Sequence, residues 1–277
     1  MTTDETTVRG RRRSRTARMA AVALVAAVTA AACGDDGGSG DDAAADPLAE
    51  RLAGRYAHYD VVAYQSADMK THIVSFGFTD LDLVDGELQA TESFCSADHR
   101  TDQPIDVEMP DLATQAIVPE STPVLVTSLD DRARLYRPPT PTPLGVDLED
   151  PADTPLPTDP DDPRFTDPDD DGNPGVTVTI NVTEDLQGEL YLARREIFAY
   201  TVDEQPDGSL VGVVTDDSEQ TLLGASDDAF LTDAPWVQNP DLSLSPILLL
   251  PVERDWDCER LMAERDDLFP PTPEIDW

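Results

Sequence analysis

Lysine is almost missing from this chain: Lys70 is the only one in 277 residues. Basic residues are scarce altogether, 19 Lys+Arg against 57 Asp+Glu, and Arg9, Arg11, Arg12, Arg13, Arg15 and Arg18 all precede residue 33. The part after residue 32 therefore carries 55 acids and 13 bases, a net charge of −42. Such a surface repels nucleic acid and anionic lipid headgroups, and attracts cations and basic partners. Nucleic-acid binding is thereby excluded, and lysine-based catalysis is removed from nearly all of the chain. The plain physical role of the acid excess is solubility through self-repulsion.

Catalytic signatures are equally sparse. The three histidines, His58, His72 and His99, have no zinc-ligand spacing, and no His-Glu-x-x-His occurs. His58 and His72 fall in predicted strands, where a histidine is expected on the sheet surface. No Gly-x-Ser-x-Gly elbow, phosphate loop or dinucleotide fingerprint is present. Acids are so abundant that no single pair stands out as a glycosidase dyad. Asn181-Val182-Thr183 has the form of a glycosylation acceptor but sits inside a predicted strand.

The first fifty residues are of another kind. Arg9 to Arg18 form a basic region, followed by an apolar, alanine-rich run from Met19 to Ala32. Fourteen residues are too few to span a bilayer comfortably and suit the hydrophobic part of a signal peptide. The run stops at Ala30-Ala31-Ala32-Cys33-Gly34, which resembles the lipobox of bacterial lipoproteins, departing from it at Ala30 where the family usually has leucine. The resemblance implies cleavage after residue 32 and diacylglycerol on Cys33. Gly34 to Ala45 is glycine-rich, acidic and without apolar period, the composition of a flexible tether. Residues 1–32 are thus expected to be a signal peptide for the general secretory route, and 33–46 a tether. Glycine rather than aspartate after Cys33 leans towards the outer membrane or cell surface over the inner membrane.

Export changes the reading of the other two cysteines. Cys95 and Cys258 would meet in an oxidising compartment and most simply form one disulfide. No Cys-x-x-Cys exists, so neither a redox catalyst nor a zinc ribbon is supported.

From residue 47 to 268 the pattern is mainly β. Asp46 to Gly54 reads as a short helix, with Asp as cap, Pro in the first turn and Gly as stop. Strands are expected at Tyr56–Gln65, Lys70–Phe78, Glu87–Phe94, Pro123–Ser128 and Arg132–Tyr136, and again at Val176–Thr183, Glu189–Arg194, Ile197–Val202, Ser209–Thr215, Thr221–Gly224 and Pro246–Val252. Asp85-Gly86, Gln187-Gly188 and Asp207-Gly208 each place a glycine turn before an apolar strand start, which supports a meander. Asp255 to Leu268 suggests a helix carrying Cys258, and residues 269–277 an extended tail. Between them, residues 138–174 form an acidic loop; eleven of the 24 prolines lie from Pro138 to Gly175, so regular sheet is excluded there. That passage is either ordered by contact, mobile, or a linker between two domains. The expected fold is an antiparallel β-barrel or sandwich of about ten strands with short terminal helices.

The loop ends in Asp167-Pro-Asp-Asp-Asp-Gly-Asn-Pro-Gly175, directly before the cleanest period-two strand. Asp167, Asp169 and Asp171 with Gly172 resemble the first half of EF-hand and thrombospondin type 3 calcium loops, which implies calcium as a cofactor, with Asn173 as a further ligand. The twelfth EF-hand position falls on Val178, so its bidentate glutamate is absent. Further oxygens would have to come from Asp161, Asp162, Asp170 or a distant residue. The whole stretch, with the following Gly-Glu-Leu-Tyr and Asp-Gly-Ser-Leu-Val-Gly, is similar to a group of uncharacterised bacterial lipoproteins over roughly residues 167 to 250. Gly54-Arg55-Tyr56 after a short helix, and a late helix bearing Cys258, also resemble lipocalins, with tyrosine in place of their tryptophan.

These observations lead to an exported, lipid-anchored envelope protein that acts as a binding or structural module rather than an enzyme. Its expected partners are the membrane, through the lipid, and cations or a basic protein. A lipocalin-like carrier of a small apolar ligand is the alternative, and an extracellular hydrolase the third.

Overall fold

Apolar alternation along the chain builds one large antiparallel sheet. The computed structural model describes residues 46–66, 69–183, 185–231 and 236–277. The expected signal peptide, Cys33 and nearly all of the expected tether lie outside these. A short helix α1 (Pro47–Leu52) leads into three long strands, β1 (Gly54–Gln65), β2 (Lys70–Val84) and β3 (Glu87–Thr101). Short pieces follow: β4 (Asp106–Glu108), α2 (Asp111–Gln115) and β5 (Thr122–Pro123). A hairpin of β6 (Leu125–Leu129) and β7 (Arg132–Arg137) then precedes β8 (Thr142–Leu144). Beyond the acidic insert come β9 (Val176–Thr183), β10 (Leu186–Glu196), β11 (Phe198–Glu204), β12 (Leu210–Asp216) and β13 (Glu219–Ala225). The described elements close with β14 (Val237–Gln238), β15 (Pro246–Val252) and helix α3 (Cys258–Leu268).

The sheet runs β13-β10-β9-β4-β3-β2-β1-β15-β12-β11-β7-β6, with β5, β8 and β14 pairing off this path, and curls into a half-barrel. The strand count exceeds the expected ten because β4, β5, β8 and β14 are two or three residues long. Pieces that short carry no readable period. The order is not a simple meander, since β15 inserts between β1 and β12, and β4 between β3 and β9. β7, before the insert, pairs directly with β11 after it, so residues 138–174 do not link two domains; within them, against the expectation from the prolines, the short strand β8 pairs with β10.

The insert is ordered by contact. Val146 bridges Phe165, and Val146, Leu148, Phe165 and Leu156 pack with Ala193, Tyr191 and Leu223 of the sheet. Its neck closes where Gly145 and Gly175 meet, both at positive φ; a Cβ on Gly145 would lie 2.8 Å from the Cα of Gly175. Only glycine fits both demands.

β1 is buried on both faces, which explains its almost unbroken apolar reading. Tyr56, Val62 and Tyr64 face the hollow of the half-barrel with Leu81, Leu88, Leu135, Tyr200, Leu210 and Leu249. Ala57, Tyr59 and Val61 face outward under α3 and the tail, with Phe76, Phe78, Trp256, Leu261 and Phe269. The turn between β2 and β3 is Asp85-Gly86, both at positive φ (51° and 85°), as a two-residue hairpin of right-handed strands requires. Gly188 plays another part from the expected turn. It lies inside β10, where a Cβ would come within 2.2 Å of the Phe230 ring.

Candidate functional site

The hollow of the half-barrel is lined by a buried polar network that the periodicity did not reveal. Alternation puts His58 and Asp60 of β1 on the same face, and pairing sets Thr79 of β2 beside Glu92 of β3. His58 is fully buried, and its Nε2 meets Asp60 Oδ1 at 2.9 Å while Nδ1 meets Thr79 Oγ1 at 2.8 Å. The tautomer that places the hydrogen on Nε2 donates to Asp60 and lets Nδ1 accept from the Thr79 hydroxyl. This hydroxyl–imidazole–carboxylate order has the connectivity of a nucleophilic triad. Thr79 and His58 both have 0% exposure, so the hydroxyl is closed off from solvent.

Next to it lies a buried ion pair. Arg137 Nε and Nη2 donate to Glu92 Oε1 and Oε2, each at 3.1 Å, and Tyr200 O–H donates to Glu92 Oε1 at 3.1 Å. Arg137 Nη1 donates to the Phe198 carbonyl at 2.6 Å, and the guanidinium lies 4.3 Å from the Phe198 ring centre. Burial, reinforced by the Glu92 charge, raises the Tyr200 phenol well above its ordinary pKa. The bidentate geometry with extra carbonyl acceptors is what makes a pair of this kind tolerable away from water.

A second polar group stands where β10 and β12 border the hollow. Arg194 Nε pairs with Glu196 Oε1 at 2.6 Å, Tyr64 O–H donates to Asp216 Oδ2 at 2.7 Å, and Ser218 O–H donates to Asp216 Oδ1 at 2.6 Å. Burial and the neighbouring Glu196 push the Asp216 carboxyl up. His99 faces this group; desolvation, then Arg194, hold its pKa down to about 4.

Between these groups is a cavity of about 70 Å³. Val62, Ile73, Phe94, Ile117 and Phe198 supply apolar walls, and Asp60, His99, Arg194, Glu196 and Asp216 the polar ones. His99 Nδ1 and Thr114 Oγ1 are shielded there without a hydrogen-bond partner in the protein. Asp60 uses only Oδ1, on His58. Ligand pockets for drug-sized molecules are roughly 300–1,000 Å³. This hollow instead has room for about two water molecules or a small polar group.

The acidic turn is a separate place. Asp167, Asp169 and Asp171 come together, each offering an oxygen within 4.8 Å of the others. Asp167 accepts from the Asp171 and Gly172 amides at 3.1 and 2.9 Å, and Asp169 Oδ2 from the Thr177 amide at 2.8 Å. Asn173 donates to Asp171, its backbone amide at 2.8 Å and its side-chain amide at 3.1 Å. The oxygens are of the hard type that suits calcium or magnesium.

The remaining expected residues are placed as follows. Cys95 and Cys258 are bonded, with Cα atoms 5.3 Å apart. Cys95 is the extra residue of a β-bulge, opposite the step from Phe76 to Gly77, which turns it to the outer face beneath α3. His72 is buried, not on an open surface: its Nδ1 donates to the Pro273 carbonyl at 3.3 Å, and Trp277 Nε1–H donates to its Nε2 at 3.1 Å. No helix of the described residues is long and apolar enough to cross a membrane. The sequence reading did not single out the network residues Glu92, Arg137 and Tyr200; a charge on the buried face of a strand, Arg137 in line with Ala133 and Leu135, was the available signal. Comparison with protein-family models, curated proteins and solved structures gave no match.

Proposed function

We propose that this is an exported, lipid-anchored envelope protein that binds rather than catalyses, with the hollow of its half-barrel as the binding surface. The observation that carries this reading is the pairing of polar groups inside the hollow. Glu92 pairs with Arg137, Glu196 with Arg194, and Asp216 accepts from Tyr64 and Ser218, while Asp60, His99 and Thr114 keep free polar atoms at the cavity. Groups arranged this way orient a ligand, but they leave no accessible nucleophile with its base. The volume favours a small polar group, or the polar end of a larger molecule whose remainder stays at the mouth. The acidic exterior adds attraction for cations or a basic partner.

A lipocalin-like carrier of an apolar guest is the second reading. It draws on Phe94, Ile117 and Phe198 at the cavity and on the disulfide that ties the late helix to the sheet. The lipobox-like Cys33 supports the anchor. Fractionating cells that express the chain and its Cys33→Ser variant tests placement: the parent is expected with the membranes and the variant in the soluble exported fraction. Identical partition would refute the anchor. Native mass of the membrane-extracted protein separates the two ligand readings, since an apolar guest adds about the mass of a lipid or pigment and a small polar ligand does not.

A further inference from the structure

We infer that Asp167, Asp169 and Asp171 form a calcium site that fastens the acidic insert to strand β9. This concerns a different part of the molecule from the hollow and does not rest on the reading of its ligand. Three neighbouring acids on a surface turn mean little alone, since such groups normally diverge into water. Here one of them does not reach water. Asp169 is 8% exposed, and its Oδ1 is shielded with no hydrogen-bond partner in the protein. Its other oxygen is taken by the Thr177 amide, which fixes the carboxylate in place.

A shielded carboxylate oxygen without a partner is costly unless something positive meets it. What it faces makes this worse, because Asp167 and Asp171 put their own oxygens within 4.8 Å. The arginines of this region are engaged elsewhere. Arg164 pairs with Asp162 at 2.9 Å, and Arg195 binds the carbonyls of Pro151 and Thr154 together with Glu219. The missing partner is therefore a small cation with a taste for oxygen. Calcium accepts six to eight oxygens in adaptable geometry, whereas magnesium requires a near-ideal octahedron. Three carboxylates with water filling the remaining positions fit the first better. The absent twelfth-position glutamate keeps the site weak, since Val178 is buried in the core there.

Position gives the site its consequence. The turn lies at the exit of the insert, whose neck is held by Thr166 N–H to Gly145 O at 3.0 Å and Gly175 N–H to Thr166 O at 2.7 Å. Asp169 and Asp171 both reach Thr177, the second residue of β9, through its amide and its hydroxyl. A cation shared by the three acids ties the end of the insert to the sheet.

The test is hydrogen exchange with mass-spectrometric readout on the whole exported protein, stripped with chelator and titrated with calcium chloride at constant ionic strength. Calcium is expected to slow exchange in the segment 164–178 with half-saturation at about 10⁻⁴ to 10⁻³ M. Asp169→Asn keeps an acceptor for the Thr177 amide and removes the charge, and should weaken the effect about tenfold or more; Asp171→Asn serves if that variant folds poorly. Asp153→Asn, an exposed acid elsewhere in the insert, should leave it unchanged. No protection of 164–178 up to about 10 mM calcium, well above the range of weak extracellular sites, overturns the inference. So does equal protection by magnesium, or an unaltered titration in both variants.

Discussion

Arg137 and Glu92 have no accessible side-chain surface, so each is the other's compensating charge away from water. Removing one partner from such a pair leaves a buried charge uncompensated, at a cost of about 3–5 kcal/mol. Arg137→Met is therefore expected to lower the urea midpoint sharply, with Glu92→Gln in the same background recovering part of the loss. Equal midpoints for parent and Arg137→Met would show that the pair is not sealed from water. His99 gives a pH signature of known sign. Its folded pKa, about 4, lies below the ordinary value of 6.5, so the unfolded chain binds more protons between these values. Its contribution is fully present above pH 6.5 and is lost as pH falls towards 4, by up to about 3 kcal/mol. His72 is lowered too and acts in the same direction. The His99→Gln variant should therefore show a shallower loss of stability over pH 6.5–4 than the parent; parallel curves would contradict the burial of this ring. Asp216, whose carboxyl is raised, works with the opposite sign.

Helix α3 and the tail act as a strap across the outer face of β1 and β2. Cys258 in the first turn of α3 bonds to Cys95, Phe269 stacks on Tyr59 at 5.3 Å, and Trp277 reaches His72 with Lys70 4.8 Å from its ring. The disulfide spans a sequence separation of 163, and a native link of this kind contributes about 2–5 kcal/mol. Cys258→Ser is expected to lower the melting temperature and to expose Trp256, visible as a red shift in fluorescence; an unchanged melt would show that the strap holds without its bond. At the neck of the insert, Gly145→Ala must adopt a φ near +71° against the Gly175 backbone, and should cost about 1–3 kcal/mol. These elements also mark how far the sequence could be read. Strands with a strong period, such as Val176–Thr183, and the strap helix were legible because one face is apolar. The second halves of β2 and β3 were not, since Asp80, Asp82 and Asp98 interrupt the pattern; Asp80 and Asp82 meet Arg254, Asp80 also Arg55, and Asp98 meets Arg265. Helix α2 is five residues long, too short to show a period. Of the candidate sites, the acidic turn was readable because its carboxylates are close together in the sequence. The network in the hollow was not, because His58, Thr79, Glu92, Arg137 and Tyr200 come from five strands and meet only when the sheet curls.

At the scale of the whole molecule, one curled sheet carries an ordered acidic insert packed on β10 and β13 and a disulfide-tied strap packed on β1 and β2. The net charge of −42 beyond residue 32 keeps such a body soluble and apart from anionic surfaces, which makes a covalent anchor a physically sensible way to hold it at a membrane. One lipid modification with several acyl chains is enough for stable attachment, whereas a single short chain is not. Export, anchor and disulfide are linked expectations, because an oxidising compartment is what keeps Cys95 and Cys258 bonded. The most direct test is the intact, non-reduced mass of the protein purified from a bacterial host that exports it. The account predicts a chain beginning at Cys33, heavier than its sequence by a diacylglyceryl group and any further acyl chain, and lighter by the two hydrogens of the disulfide. A chain that retains Met1 to Ala32, or one with an unmodified Cys33 and free thiols at Cys95 and Cys258, would contradict it.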